Sequence, residues 1–180
     1  SLINALCKEN RAIVSDVPGT TRDATDTFIH HQGEIYRFID TAGLRRKSKR
    51  DEGIEYFSML RALAAIERSD IALLVLDASK PVTDQDQQIA REIIQACKGL
   101  ILLANKWDLK KGTERGEGGR NLYILELQRH FAFTSWAPVI FTSAVTKENF
   151  NHIFEQIEEV QKERKKEIKT GPLNSFVKKI

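Results

Sequence analysis

Two uninterrupted apolar runs, Ile71-Ala72-Leu73-Leu74-Val75-Leu76 and Leu100-Ile101-Leu102-Leu103-Ala104, limit what this chain can fold into more than any other feature. A strand with one wet face alternates apolar and polar residues. A run without alternation reads as a strand covered on both faces, which is the habit of parallel sheets. Between the runs, Ile89, Ile93 and Cys97 recur at helical spacing, behind Pro81 and a Thr83–Asp86 pair with the form of a capping box. Residues 138–141 read as another strand. A long closing helix follows, with Phe150, Ile153, Phe154, Ile157 and Val160 on its inner stripe. Upstream, Ile54, Phe57, Leu60, Leu63 and Ala64 form one helical stripe, and residues 1–6 have the look of a helix already under way. Residues 26–31 and 34–39 flank a turn at Gln32-Gly33 and read as a hairpin that adds one antiparallel edge. Residues 110–120, rich in glycine and charge, are expected to form a mobile loop, with a weakly patterned helix near 122–131. Strands alternating with helices predict an α/β fold, a mostly parallel sheet with helices on both faces.

A chain of 180 residues suits one domain with a sizeable core. Its net charge of +3 permits contact with RNA or acidic surfaces without demanding it. Cys7 and Cys97 have neither zinc spacing nor a framework pattern, and read as reduced core thiols of a cytoplasmic protein. No apolar stretch approaches the roughly 18 residues of a membrane span, and the amino terminus has no signal-peptide pattern. His30 and His31 adjoin in a strand, point to opposite faces and make no metal pair. No Ser–His–Asp or Cys–His arrangement suggests a hydrolase of another kind.

Two short strings carry chemistry. Asp40-Thr41-Ala42-Gly43 follows the second arm of the hairpin, and Asn105-Lys106-Trp107-Asp108 follows the run at 100–104. By chance an N-K-x-D match in such a chain arises at a level of roughly a few per cent and a D-T-A-G match at about one in a thousand, so their joint occurrence, each behind a strand, is a poor coincidence. Guanine offers N1–H and an exocyclic amine, both donors, along one edge. An ionised carboxylate is acceptor-only, so Asp108 can take both, and adenine presents no such pair. Asn105 can tie neighbouring loops and meet the other ring edge, and the aliphatic stem of Lys106 can lie over the base. Trp107 reads as packed beneath the site. The bland alternative, in which Asn105 and Asp108 only cap a turn, loses weight in the company of residues 40–43.

Asp40 ends a strand, where ligands gather in open α/β sheets, and its expected task is to hold the water shell of Mg²⁺. Gly43 lets the backbone approach a terminal phosphate and donate its N–H. Within Pro18-Gly19-Thr20-Thr21-Arg22-Asp23, a threonine hydroxyl can complete the Mg²⁺ shell, Thr21 in preference to Thr20. Backbone N–H groups of Ser143-Ala144, after the strand at 138–141, can meet guanine O6. The basic run Arg45-Arg46-Lys47-Ser48-Lys49-Arg50 reads either as a solvated loop or as a phosphate-facing RNA surface gated by nucleotide. Residues 162–169 are basic too, but Glu163 and Glu167 interleave, which suits a solvated helix face. Thr170-Gly171-Pro172 is expected to stop the closing helix. Leu173, Phe176, Val177 and Ile180 then share one face of a new helix that nothing in the chain covers.

Taken together these residues resemble the translation-factor-class GTPases of the TrmE-Era-EngA-like group, most closely the second G domain of the ribosome-assembly GTPase family Der (EngA). The matching stretches are residues 1–6, 13–23, 40–49, 52–76, 105–108 and 136–144. Gly43-Leu44-Arg45-Arg46-Lys47 and Ser135-Trp136-Ala137-Pro138 are the most specific. The resemblance implies a Ras-like P-loop GTPase fold and binding of GTP and GDP with Mg²⁺. It implies hydrolysis of GTP with Gly43 and Thr21 in catalytic roles and Asp40, Thr41, Ala42, Gly43 and Leu44 around the phosphates. It also implies maturation of the 50S ribosomal subunit precursor, contact with rRNA, and a partner G domain and KH-like domain in the same protein. On that footing residues 1–169 are a G domain truncated at its start, and residues 170–180 are a linker and the first helix of the KH-like part. The family's phosphate loop, G-x-x-x-x-G-K-[ST], and its strand belong just before Ser1 and are missing from this chain, so this polypeptide is expected to bind GTP poorly and to be part of a longer protein. Leu44 stands where Ras-type enzymes place a water-orienting glutamine, as the family also has it. The resemblance supplies a K⁺ ion near the backbone of residues 15–19 in compensation. Two other readings remain open: a nucleotide-insensitive RNA- or ribosome-docking module, and the G domain of a tRNA-modification GTPase, which shares residues 19–23. The basic run at 45–50 and the Pro172 linker favour the resemblance to the Der family over the tRNA-modification GTPase.

Overall fold

The computed structural model describes residues 2–9, 26–39 and 54–178, without the side chains of residues 9, 54–58 and 173. The element order is α1 (Leu2–Glu9), β1 (Thr27–His31), β2 (Glu34–Phe38), α2 (Ile54–Arg68), β3 (Ile71–Asp77), α3 (Asp84–Gln95), β4 (Gly99–Asn105), α4 (Glu117–His130), β5 (Val139–Phe141), α5 (Phe150–Arg164) and α6 (Thr170–Val177). β3, β4 and β5 form a parallel sheet in that order. The central strand β4 is buried along its length up to Asn105.

The alternation of side chains along β4 divides the interior in two. Leu100, Leu102 and Ala104 face Ile66 of α2, Ala90 and Ile93 of α3, and Tyr123 and Leu127 of α4. Ile101 and Leu103 face Leu2 and Leu6 of α1, Ile29 of β1 and Phe150, Ile153 and Phe154 of α5. Helices thus cover both faces, as the unalternating runs require. α3 starts at a complete capping box: Thr83 N donates to Asp86 Oδ2 at 2.9 Å, and Asp86 N donates to Thr83 Oγ1 at 3.2 Å.

β1 and β2 pair antiparallel around Gln32 (φ 50°) and Gly33 (φ 91°), a two-residue turn with both central residues in the left-handed region that matches the twist of a hairpin. His31 is buried and stacks on Phe154 with ring centroids 4.1 Å apart, whereas His30 is exposed. Tyr36 meets the same ring edge-on and donates its hydroxyl to Glu158 Oε1 at 2.6 Å. Burial and the Glu158 carboxylate together raise the Tyr36 hydroxyl well above the usual phenol range.

Several expectations need correction. The hairpin is a separate two-stranded sheet and not an added edge: among the described residues β3 pairs with β4 alone. The hairpin is held by side-chain packing on α5. For the same reason Val75, expected to be covered on both faces, is 46 % exposed. On α2, Leu60 and Ala64 are exposed, Leu63 is half-buried and Ile66 joins the core; the expected Ile54 and Phe57 side chains lie outside the described residues. Helical spacing alone leaves open how far round the helix the covered face extends. Cys97 is exposed, because α3 stops at Gln95 and Cys97 takes a left-handed turn (φ 55°) into β4; Cys7 is half-buried. α5 ends at Arg164, so Thr170-Gly171-Pro172 opens α6 instead of breaking α5. In the first helical turn the N–H that proline lacks would have no partner anyway.

Residues 110–120 are also more ordered than a loop. Short 3₁₀ turns at Trp107–Leu109 and Gly112–Glu114 lead directly into α4, which begins at Glu117. Gly119 permits this: a Cβ there would lie 1.9 Å from the Glu114 carbonyl oxygen. Gly119→Ala is therefore expected to destabilise the protein by roughly 1–3 kcal/mol in urea unfolding, although alanine favours helices, because backbone has to move. Equal or higher stability would show that the chain does not turn so tightly.

Candidate functional site

The carboxyl ends of the three parallel strands converge, and the backbone ties them together. Asp77 of β3 stands in register with Asn105 of β4, and Ala78 N donates to Asn105 O at 2.9 Å. Thr142, just past β5, donates its N–H to Ala104 O at 2.9 Å and accepts from Trp107 N at 3.0 Å. The string 105–108 and the pair Ser143-Ala144, far apart in sequence, are thereby laid side by side at the end of the sheet where open α/β folds bind ligands.

Within 105–108 each residue has a different fate. Asn105 is half-buried, with the Thr142 hydroxyl at the outer hydrogen-bond limit of its Oδ1, 3.5 Å. Lys106 adopts a left-handed backbone (φ 64°, ψ 33°) and places its ammonium 2.5 Å from Asp77 Oδ2. Trp107 is fully buried among Tyr123 and Phe141, and its Nε1–H donates to Arg115 O at 3.2 Å. Burial, helped by the carboxylates of Glu126, Asp77 and Asp86, pushes the neighbouring Tyr123 hydroxyl up to about 12. Asp108 is half-buried, and its carboxylate takes part in no hydrogen bond or ion pair among the described residues. The turn therefore anchors two side chains, buries a third and leaves the fourth, an acceptor-only group, uncommitted at the sheet's mouth.

Ser143 is buried, and its hydroxyl accepts from Val145 N at 3.2 Å and Thr146 N at 3.1 Å. It shapes the turn that carries Ala144, a local side-chain-to-backbone motif. Glu148, bridged to Ser143 through the backbone, accepts from Arg120 at 2.8 Å and Arg115 at 3.4 Å, and so links this turn to the start of α4. Asp40, Thr41, Ala42, Gly43, Leu44, Thr21 and the basic run at 45–50 lie outside the described residues. No cluster of three or more potential metal ligands occurs among the described residues.

Sequence reasoning overlooked Asp77 and Glu148. A signal for Asp77 was present: an aspartate ending an apolar strand, with serine two residues on, is the pattern of a side chain that caps its own turn. Ser79 donates both N–H (3.1 Å) and hydroxyl (2.6 Å) to Asp77 Oδ1. Burial would raise the Asp77 carboxyl, but hydrogen bonds from Lys106 and Ser79, with the charge of Lys106, overcome it and hold it at about 2. Asp77 is thus charged at any physiological pH. Glu148 gave no such signal, since its arginine partners lie 28 and 33 residues away.

Comparison with known proteins agrees with this geometry. The chain is 44 % identical over 178 residues to GTPase Der of Thermomicrobium roseum, covering 99 % of this chain and 38 % of that protein. It is 48 % identical over 177 residues to GTPase Der of Desulforudis audaxviator, covering 98 % and 40 %. The chain thus spans about two fifths of the length of these curated relatives. Among solved structures, Era in complex with MgGDPNP and nucleotides 1506–1542 of 16S ribosomal RNA matches with a TM-score of 0.62 at 23 % identity, over 88 % of this chain and 51 % of that one. This likeness shows the Ras-like α/β GTPase fold. The family model described as 50S ribosome-binding GTPase matches residues 1–106. With that match extending over more than half of its length, the chain belongs to the family of 50S ribosome-binding GTPases.

Proposed function

We propose that this chain binds guanine nucleotides and forms the GTP-hydrolysing part of a cytoplasmic protein that acts in assembly of the large ribosomal subunit. The observation that carries the reading is the uncommitted Asp108 carboxylate at the mouth of the parallel sheet, beside a clasped Lys106, with the Ser143-Ala144 turn held against the same loop. A free acceptor-only group there suits the two adjacent donors of guanine. The stem of Lys106 lies over the base, Asn105 meets the other ring edge, and the N–H of Ala144 meets O6.

The phosphate end is read from sequence. Asp40 and Thr21 are oxygen donors of the kind a hard cation takes, and they would hold Mg²⁺, which supplies charge neutralisation between the phosphates. Gly43 would donate its N–H to the terminal phosphate, with Thr41, Ala42 and Leu44 shaping the same turn. Because Leu44 cannot orient a water molecule, a K⁺ ion held near residues 15–19 fits the same role. The family's description as a 50S ribosome-binding GTPase supports a partner in the 50S precursor, and the basic run at 45–50 suits contact with its rRNA. Residues 170–180 suit the opening of a KH-like domain, since Phe176 and Val177 of α6 are both more than half exposed. No helix among the described residues is long and apolar enough to cross a membrane.

Competition against fluorescent GDP in the intact protein tests the reading. Inosine diphosphate lacks the exocyclic amine, so one of two hydrogen bonds to Asp108 is lost. A charge-assisted bond is worth about 1.5–3 kcal/mol, so inosine diphosphate should compete at least about tenfold less well than GDP. Adenosine diphosphate should not compete. Equal competition by all three would remove the assignment.

A further inference from the structure

Lys106 and Asp77 stand out because nothing in the N-K-x-D pattern calls for a partner on another strand. We propose that Asp77 is a positioning residue for the nucleotide: it clasps the Lys106 ammonium and so holds the Lys106 stem as a ready-made wall of the purine slot before any ligand arrives. This deepens the guanine-site reading above and rests on it.

The two oxygens of Asp77 have separate duties. Oδ1 is occupied by the N–H and hydroxyl of Ser79, at 3.1 and 2.6 Å, which fixes the plane of the carboxylate. Oδ2 is then turned to Lys106 Nζ at 2.5 Å. Both ends of the clasp are anchored by backbone. Asp77 and Asn105 are register partners, and Ala78 N donates to Asn105 O at 2.9 Å, so the turn after β3 cannot drift from the turn after β4. Lys106 itself sits in the left-handed region, rare for a residue with a side chain. A lysine on a free surface would sample many rotamers. One whose backbone and ammonium are both held has lost that freedom already, and a ligand packing on its stem need not remove it.

The alternative is an ordinary exposed ion pair of little consequence. Asp77 has 24 % of its side chain exposed and Lys106 50 %, so accessibility alone does not decide between them. Function does. An ordinary pair has no coupling to nucleotide affinity, whereas a clasp does.

The experiment uses the intact protein, fluorescent GDP titration, and the variants Asp77→Asn, Lys106→Met, the double variant and Asp108→Asn. Asparagine keeps an oxygen for Ser79 and removes the charge that holds Lys106. Asp77→Asn should weaken GDP about five- to tenfold, chiefly through faster dissociation. It should leave the ratio of GDP to inosine diphosphate affinity unchanged, because Asp108 is untouched. The double variant should bind no worse than Lys106→Met alone, since both changes break the same clasp. In nucleotide-free protein the Lys106 ammonium should give an NMR resonance protected from solvent exchange, lost in Asp77→Asn. Additive losses, GDP affinity within about twofold of the parent protein, or an unprotected ammonium would each overturn the clasp. So would an Asp77→Asn protein that no longer folds, because Asp77 would then serve the fold and not the ligand. The two readings fail differently. If Asp108→Asn changes base preference while Asp77→Asn changes nothing, only the clasp is wrong; if Asp108→Asn changes nothing, the guanine site itself is wrong and the clasp falls with it.

Discussion

Replacing Asp108 by Asn in the intact protein is expected to lower GDP affinity by about a hundredfold and to raise affinity for xanthosine diphosphate. The carboxylate has no competing partner among the described residues, so all of its accepting capacity is open to the base. Guanine's N1–H and exocyclic amine give two charge-assisted bonds, together worth roughly 3 kcal/mol or more. Asparagine keeps the shape but carries an N–H₂ that opposes guanine's donors and suits a carbonyl in the position of the amine, which xanthine has. Removal of a favourable contact and creation of a repulsive one act in the same direction. Parallel titrations with guanosine and xanthosine diphosphates read the effect as a ratio, which is insensitive to a general loss of folded protein. A ratio unchanged from the parent would mean that Asp108 does not face the base.

Trp107→Ala is expected to lower unfolding free energy by about 3–5 kcal/mol, the range for deleting a large buried aromatic. The ring is fully buried, meets Tyr123 and Phe141 with centroids 5.5 and 4.4 Å away, and satisfies the Arg115 carbonyl through Nε1. A domain of this size is stable by only about 5–15 kcal/mol, so the variant should be close to unfolding at 37 °C. Trp107 lies between Lys106 and Asp108, so the same cavity should loosen both side chains and weaken GDP binding even where the protein stays folded. Trp107→Phe keeps most of the packing and leaves the Arg115 carbonyl without its donor, for a smaller loss of about 1–2 kcal/mol. Urea unfolding followed by circular dichroism measures both. A loss below about 1 kcal/mol for Trp107→Ala would show that the ring is not a core residue.

The strings at 40–43 and 105–108 stand out because their residue types recur at a set spacing, which short strings carry locally, and the structure lays 105–108 beside Ser143-Ala144 at the end of the parallel sheet. Burial of Trp107 beneath its own motif followed from the same logic, since a turn that presents Asp108 has to hide its large neighbour. The contacts that Asp77, Thr142 and Glu148 make with the site could not be read from local sequence, although Asp77 carried the signal of a turn cap. Each acts on a residue that is distant along the chain: Asp77 on Lys106 at 29 residues, Thr142 on Asn105 at 37, and Glu148 on Arg120 at 28. Glycines at 118 and 119 read as loop because their freedom is usually spent on turns. Here Gly119 serves a close backbone approach that only the folded chain reveals.

Local composition determined the layered α/β architecture. A strand without polar residues calls for cover on both faces, which β4 has and β3 has only in part, a helix with one apolar stripe has to face inward, and Thr83 with Asp86 sets a helix start without help from the rest of the chain. Tertiary packing decided what local patterns leave degenerate. It buried Ile66 of α2 and left Leu60 and Ala64 exposed. It seated the hairpin on Phe154 instead of in the sheet, and it turned Lys106 toward Asp77. Side-chain periodicity sets which residues share a face. Which face is buried, and which distant charge a flexible lysine meets, depends on the surfaces that the remaining elements bring to it.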